Sequence, residues 1–183
     1  MDKTSTPADE GAAVTLARAA GAAMYARDRA TQAMGMVLDQ IGPGHARMSM
    51  TVRPDMLNGH QICHGGYVFA LADSAFAFAC NSHNHNAVGA ACSIDYLAPG
   101  RLGDVLSAEA TEQSLLGKSG FYDVRICNQS GQMLALFRGK SRRIAGEVVD
   151  TDDAGDGRGF REARAADEEG RVPGAHGSPV ALE

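Results

Sequence analysis

Residues 58–82 read NGHQICHGGYVFALADSAFAFACNS, a polar, glycine-rich loop that runs straight into an almost wholly apolar segment. From Gly65 to Ala79 the one charge is Asp73, and apolar residues fall on every side of a helical projection. A helix that is hydrophobic all round belongs in an interior. At 1.5 Å per residue, His64–Ala79 spans about 22 Å, too short for a bilayer, so the stretch predicts the core helix of a soluble domain. An unpaired carboxylate in such surroundings is costly. Asp73 is therefore the first candidate functional residue.

A buried helix needs a wrapping, and the flanking sequence supplies strands. Ala46, Met48, Met50 and Val52 alternate with Arg47, Ser49, Thr51 and Arg53, the period of a half-buried strand, after a possible strand start at Gly35–Leu38 and a turn at Gly42-Pro43-Gly44. Downstream, four more strands are expected at 87–97, 104–115, 121–127 and 133–144. Turn residues between them, Ala98-Pro99-Gly100, Gly117 and Asn128–Gly131, make these last four mostly an antiparallel meander. Ahead of the first strand, residues 11–26 are alanine-rich and helical in pattern, and Asp28 is placed to cap a second short helix through Ala33. The order of elements gives an α+β domain, a single antiparallel sheet curling around one apolar helix.

Domain organisation follows from charge and composition. With 183 residues and 44% hydrophobic content, the chain holds one domain with extensions. Of 22 acidic and 17 basic residues, 147–183 hold ten and four, which leaves 12 and 13 in residues 1–146. The expected layout is a disordered lead over 1–10, a folded domain over 11–146 and a disordered acidic tail over 147–183. A near-neutral folded part without a nucleic-acid-reading signature argues against DNA or RNA as partner. Cys63, Cys80, Cys92 and Cys127 form no CxxC pair, and the N-terminus MDKTSTPADE lacks a signal-peptide apolar stretch, so a cytoplasmic location with free thiols is expected. No transmembrane segment or repeat is expected.

Several motifs, in order, carry a family resemblance: Asn58-Gly59-His60, Cys63-His64-Gly65-Gly66, Leu71 to Ala77, Ser93-Ile94-Asp95-Tyr96-Leu97 and Leu136 to Ser141. Over residues 12–146 the chain resembles the hotdog-fold acyl-CoA thioesterases, those of phenylacetate degradation above all. The resemblance implies a sheet wrapped around a central helix, a homodimer sharing two active sites and a homotetramer of two dimers. It also implies hydrolysis of aryl-acetyl-CoA thioesters, phenylacetyl-CoA or its ring-hydroxylated derivatives, with coenzyme A entering as part of the substrate and no separate cofactor.

Transferred position by position, the resemblance implies that the Gly65 N–H polarises the thioester carbonyl and that Asp73 acts as nucleophile or general base. A helix N-terminus suits the first role, because its unpaired N–H groups and positive dipole end favour a developing oxyanion. Eight residues separate the two positions, about 12 Å of helical rise, so one carbonyl cannot touch both groups of one chain. If both serve one thioester, Asp73 comes from a second subunit related by a two-fold axis.

The resemblance further places Asn58 beside the attacking water or the acid, and His64 along the site. Against these stand bland alternatives: Asn58-Gly59 is a turn signal by itself, and His64 is an ordinary helix-start residue. Ser74 is a candidate substrate contact or a packing filler, and His60 is weaker. Tyr67 and Phe69 are candidates to line the acyl pocket. Lys118, Arg138 and Lys140 are candidates to meet the nucleotide phosphates. A Cys63–His64 nucleophile pair is disfavoured, because neighbours in sequence rarely point at each other. His60, Cys63, His64, His83 and His85 have no zinc-ligand spacing, and no metal is expected; His83-Asn84-His85 reads as a solvated loop. Two other readings stay open, a hotdog enoyl-CoA hydratase or dehydratase, whose acid and histidine arrangement is not found, and a non-catalytic acyl-CoA-binding module with the acidic tail as its interaction arm.

Overall fold

A computed structural model describes residues 7–150 of the chain. Two helices come first, α1 (Pro7–Arg27) and α2 (Arg29–Ala33), followed by a hairpin of β1 (Val37–Gly42) and β2 (His45–Thr51). A single 3₁₀ turn over Pro54–Met56 leads through the glycine-rich loop to the central helix α3 (Gly65–Asn81), and then come β3 (His85–Tyr96), β4 (Val105–Leu116), β5 (Ser119–Cys127) and β6 (Met133–Glu147). Among the described residues, no helix is long and apolar enough to cross a membrane.

The boundaries mostly match the expectations, with informative shifts. The α1 helix begins at Pro7 rather than Gly11, so the end of the expected disordered lead is helical; proline at a helix start loses no hydrogen bond, and Asp9 and Glu10 favour the positive end. Asp28 caps α2 as expected, its Oδ1 accepting from the Thr31 N–H at 3.0 Å. The last strand runs on to Glu147, and Val148 is buried behind it. The expected tail from residue 151 onward lies outside the described residues.

All six strands lie in one antiparallel sheet ordered β1-β2-β4-β5-β6-β3. This corrects the expected four-strand meander, which holds only for β4, β5 and β6. The β3 strand pairs with β6 at the far edge, whereas β4 joins β2. The reason lies in the connection after β3. Gly100 O accepts from the Cys63 N–H at 2.8 Å, and Val52 exchanges hydrogen bonds with Gly103 and Asp104, which draws the chain back under the helix start and lays β4 beside β2.

The inward residues of the sheet, among them Met48, Met50, Leu106, Tyr122, Val124, Ile126 and Phe137, are buried against α3. Each such side chain contributes about 1.5–3 kcal/mol when fully buried. Phe76 is the centre of this packing, edge-on to Tyr122 at 5.4 Å and tilted to Phe137 at 5.9 Å. Gly139 lies directly under it: a Cβ there would come 2.8 Å from the Phe76 ring, so only glycine fits. On α3 itself Val68, Leu71, Ala72, Ala75, Phe76, Phe78 and Ala79 are buried. The expectation of burial on every side fails: the strip of Phe69, Asp73 and Ala77, spaced four residues apart beside β3, is only partly buried, as are Ala70 and Ser74 on the adjoining row. The sheet ends at β3, so one chain does not close over that strip.

Candidate active site

The loop before α3 is built by its own backbone. Asn58 and Ile62 pair through Asn58 N–H and Ile62 O at 2.9 Å, and the Asn58 Oδ1 accepts from His60 N–H at 2.9 Å and Ile62 N–H at 3.4 Å. The side-chain carbonyl oxygen of Asn58 is thus committed to the turn, while its Nδ2 has no hydrogen-bond partner among the described residues. His64 ends that loop as the N-cap of α3. Its Nδ1 accepts from the Gly66 N–H at 2.9 Å, which places any ring proton of the neutral side chain on Nε2. His60 is exposed.

The cap has a chemical consequence at the next residue. His64 takes up the Gly66 N–H, and the Tyr67 N–H closes back on His64 O at 2.9 Å. The Gly65 N–H has no hydrogen-bond partner among the described residues, so an open donor stands at the positive end of a buried helix. Gly65 is held from above by Tyr96. The Tyr96 hydroxyl donates to Gly65 O at 2.9 Å, and a Cβ on Gly65 would lie 3.1 Å from the tyrosine ring and oxygen. A side chain there would press on the tyrosine, which would have to give by a few tenths of an ångström.

Asp73 sits two turns further along α3, half-buried, with the Cys92 thiol of β3 as its polar neighbour at 3.8 Å from Oδ1. Burial pushes its carboxyl above the ordinary range, and the thiol opposes this weakly. The carboxylate opens on a cavity of about 650 Å³ between α3 and β3, walled by Phe69, Phe76, Ala77, Val88 and Gly89 and reached by Met24 and Arg27 of α1. That volume lies within the range of ligand sites. Phe69, expected to line an acyl pocket, lines this cavity and stacks edge-on to Phe137 at 5.5 Å.

Other expected site residues lie elsewhere. Ser74 faces α2, its Oγ 3.2 Å from Thr31 Oγ1, which in turn donates to Asp28 at 2.6 Å; it braces two helices and does not line the cavity. Tyr67 packs against the core outside the cavity. Arg138 grips Asp123 through two bonds of 2.6 and 2.8 Å, and Lys140 lies 5.7 Å over the Phe121 ring. Both alternate with the buried Phe137, Gly139 and Ser141, so they point to the sheet face away from α3; Lys118 is in the β4–β5 turn. The single chain therefore does not bring these three cations to the Asp73 cavity.

The cysteine and zinc alternatives fare as their chemistry suggests. Cys63 is buried and burial pushes its thiol up, the opposite of an activated nucleophile. No group of histidines, cysteines and carboxylates among the described residues is arranged to hold a metal ion. The segment 83–85 is not the solvated loop expected. His83 Nε2 lies 2.9 Å from Glu112, which also accepts from the Tyr122 hydroxyl at 2.7 Å, and Asn84 is buried with φ of 62°, bonded to Val149. Asparagine tolerates that backbone, so the turn into β3 is tight rather than loose.

Residues that sequence reading gave no role are Cys92, Tyr96 and Arg27. Cys92, Ile94 and Tyr96 share one face of β3 by its period of two, which was the available signal; which elements they meet depended on the sheet order.

A sheet wrapped around a helix, with an acid and an open N–H on that helix, defines a hotdog enzyme site, and the comparisons agree. Residues 60–135 match the Thioesterase superfamily. The chain is 49% identical over 127 residues to the acyl-coenzyme A thioesterase PaaI of Escherichia coli, covering 69% of this chain and 91% of that one. The chain belongs to the thioesterase superfamily and is a thioester hydrolase of the hotdog fold. The solved structure of E. coli PaaI, from the phenylacetic acid degradation operon, superposes with a TM-score of 0.72 over 73% of this chain and 97% of that one, at 47% identity. A point variant of the phenylacetic acid degradation protein PaaI from Thermus thermophilus gives a TM-score of 0.62 at 37% identity, over 64% and 100%. A Streptococcus mutans protein bound to acetyl CoA gives 0.59 at 27% identity, over 61% and 90%.

Proposed function

We propose that the chain hydrolyses acyl-CoA thioesters, aryl-acetyl-CoA in particular, to the free acid and coenzyme A. Phenylacetyl-CoA and its ring-hydroxylated derivatives are the favoured substrates, in phenylacetate degradation in the cytoplasm. The carrying observation is Asp73, a carboxylate raised by burial, opening on an apolar cavity from a helix whose first N–H is unused. A thioester carbonyl accepting from Gly65 becomes more electrophilic, and the oxyanion formed on attack stays on that donor. Asp73 either attacks the carbonyl carbon, forming an anhydride that water then cleaves, or takes a proton from the attacking water. In both routes the C–S bond breaks and coenzyme A leaves as thiolate or thiol. The support from relatives is that two carry the PaaI name and one holds acetyl CoA.

The working unit in this reading is a homodimer, with dimers pairing into a tetramer. Gly65 and Asp73 are the first and ninth residues of α3, about 12 Å apart along its axis. Strand β3 is a twelve-residue edge without proline, lysine or arginine, and Val88 and Tyr96 on it are 48% and 54% exposed. Such an edge is a template for another strand. Tyr96 marks the Gly65 end and Cys92 the Asp73 end. Antiparallel pairing of two copies of β3 about a two-fold axis near Ile94 sets Cys92 of one copy opposite Tyr96 of the other. That register brings Asp73 of one chain toward Gly65 of its partner and covers the half-exposed strip of α3.

Thiol release from phenylacetyl-CoA tests the reaction. The wild type is expected to turn over at a kcat/KM of at least about 10⁴ per molar per second. Tight binding of acyl-CoA esters without turnover would favour the binding-module reading instead.

A further inference from the structure

Along α3 the cavity beside Asp73 runs from Phe69 past Asp73 and Ala77 to Asn81, so its wall is apolar between two polar places. At one are Asp73 and Cys92. At the other, Asn81 exchanges hydrogen bonds with Ala87 and is fully engaged, and Arg27 at the last turn of α1 reaches the cavity beside Val148. Arg27 Nε donates to Ala23 O at 3.0 Å and Nη2 to Val148 O at 3.3 Å; Nη1 has no partner among the described residues. The guanidinium is thus fixed by two backbone carbonyls and keeps donors to spare. From Asp73 to Asn81 the helix rises about 12 Å, close to the span of a two-carbon linker, a benzene ring and one hydrogen bond.

We propose that Arg27 is a specificity-determining residue that reads an oxygen acceptor at the end of the acyl group remote from the thioester. The inference rests on the acyl-CoA hydrolysis proposed above and names the feature of the acyl group that this chain prefers. With the thioester at Asp73, the carbon skeleton lies along Phe76, Ala77 and Val88, and a ring oxygen at the far end meets Nη1. The chemistry of the trough gives this direction: the thioester is held at the Asp73 end where it reacts, and the guanidinium, which only donates, meets an oxygen acceptor at the other. An unsubstituted ring fits the same walls and leaves the guanidinium to water, because Arg27 is exposed enough to stay solvated.

The test compares kcat/KM for 4-hydroxyphenylacetyl-CoA and phenylacetyl-CoA in the wild type, Arg27→Met and Arg27→Lys. Methionine keeps the apolar stem and removes the donors; lysine restores a charge without the fork. The wild type is expected to prefer the hydroxylated ester, and Arg27→Met is expected to lose about tenfold on it and less than about twofold on phenylacetyl-CoA, as for a hydrogen bond to a charged donor at a partly hydrated site. Arg27→Lys is expected to fall between them. An equal loss on both esters would make Arg27 a packing residue and overturn the inference, as would an unchanged ratio. In either case turnover of phenylacetyl-CoA would leave the thioesterase reading standing. A wild type that cleaves neither ester removes that reading, and the inference falls with it.

Discussion

Asp73→Asn is expected to lower kcat/KM for phenylacetyl-CoA by about three orders of magnitude, the upper part of what general-base chemistry contributes, while the protein stays folded. Asparagine keeps the shape and can still meet the Cys92 thiol, but it neither attacks a carbonyl nor takes up a proton. Stability is expected to move the other way. Burial raises the carboxyl of Asp73 above its ordinary value of 3.8. Between the ordinary and the raised value the folded chain keeps a proton that the unfolded chain has released, so stability falls as pH rises through that window. At neutral pH the ionised, half-buried carboxylate is a liability that asparagine lacks, and the variant is expected to melt at or above the wild-type temperature. The same shift places the acid limb of the wild-type rate above the ordinary carboxylate range. A variant that melts lower and retains most of its rate would make Asp73 a structural residue.

Gly65→Pro is expected to cost about 10²–10³-fold in kcat, the loss associated with one oxyanion donor, with KM little changed. Proline replaces the N–H with a ring carbon, and the backbone accepts it. Gly65 is the first residue of the helix, where proline is tolerated, and His64 before it is extended at φ −60° and ψ 132°, as the residue preceding a proline prefers. The added Cβ meets Tyr96 at 3.1 Å, so the ring must give by a few tenths of an ångström. Gly65→Ala carries the same Cβ crowding and keeps the N–H, which separates the contact with Tyr96 from the change at the nitrogen. If alanine and proline lower kcat equally, crowding by Tyr96 and not the lost donor is responsible.

The central helix was legible because its apolar run is long and interrupted by a single charge, and β2 because Met48, Met50 and their neighbours alternate cleanly. The strand order was not legible. The place of β3 is decided by hydrogen bonds from Cys63 and Val52 to residues 100–104, contacts between segments some forty to fifty residues apart that leave no local pattern. The same ignorance hid the companions of Asp73 and Gly65: Cys92 and Tyr96 acquire their meaning only once β3 lies along α3. The placement of Arg138 and Lys140 was hidden for a related reason. Their charges were plain, but which sheet face they occupy follows from the burial of Phe137, Gly139 and Ser141 between them. For Ser74 the sequence left a substrate contact and a packing filler both open; one residue turns a helix by about 100° from Asp73, and this one meets Thr31. Asp73, in contrast, stood out as the one charge within the apolar run, whereas the role of Gly65 came from the family resemblance, with its place at the helix start in accord.

The shared site is tested most directly by mixing two inactive proteins. Asp73→Asn and Gly65→Pro are unfolded together in equal amounts, refolded and assayed for thiol release from phenylacetyl-CoA. In random pairing half the dimers are mixed, and each mixed dimer holds one site with both groups intact, so recovery to about a quarter of the wild-type rate is expected. A mixture that forms mixed dimers and stays as inactive as its parents would contradict a site built from Gly65 of one chain and Asp73 of the other.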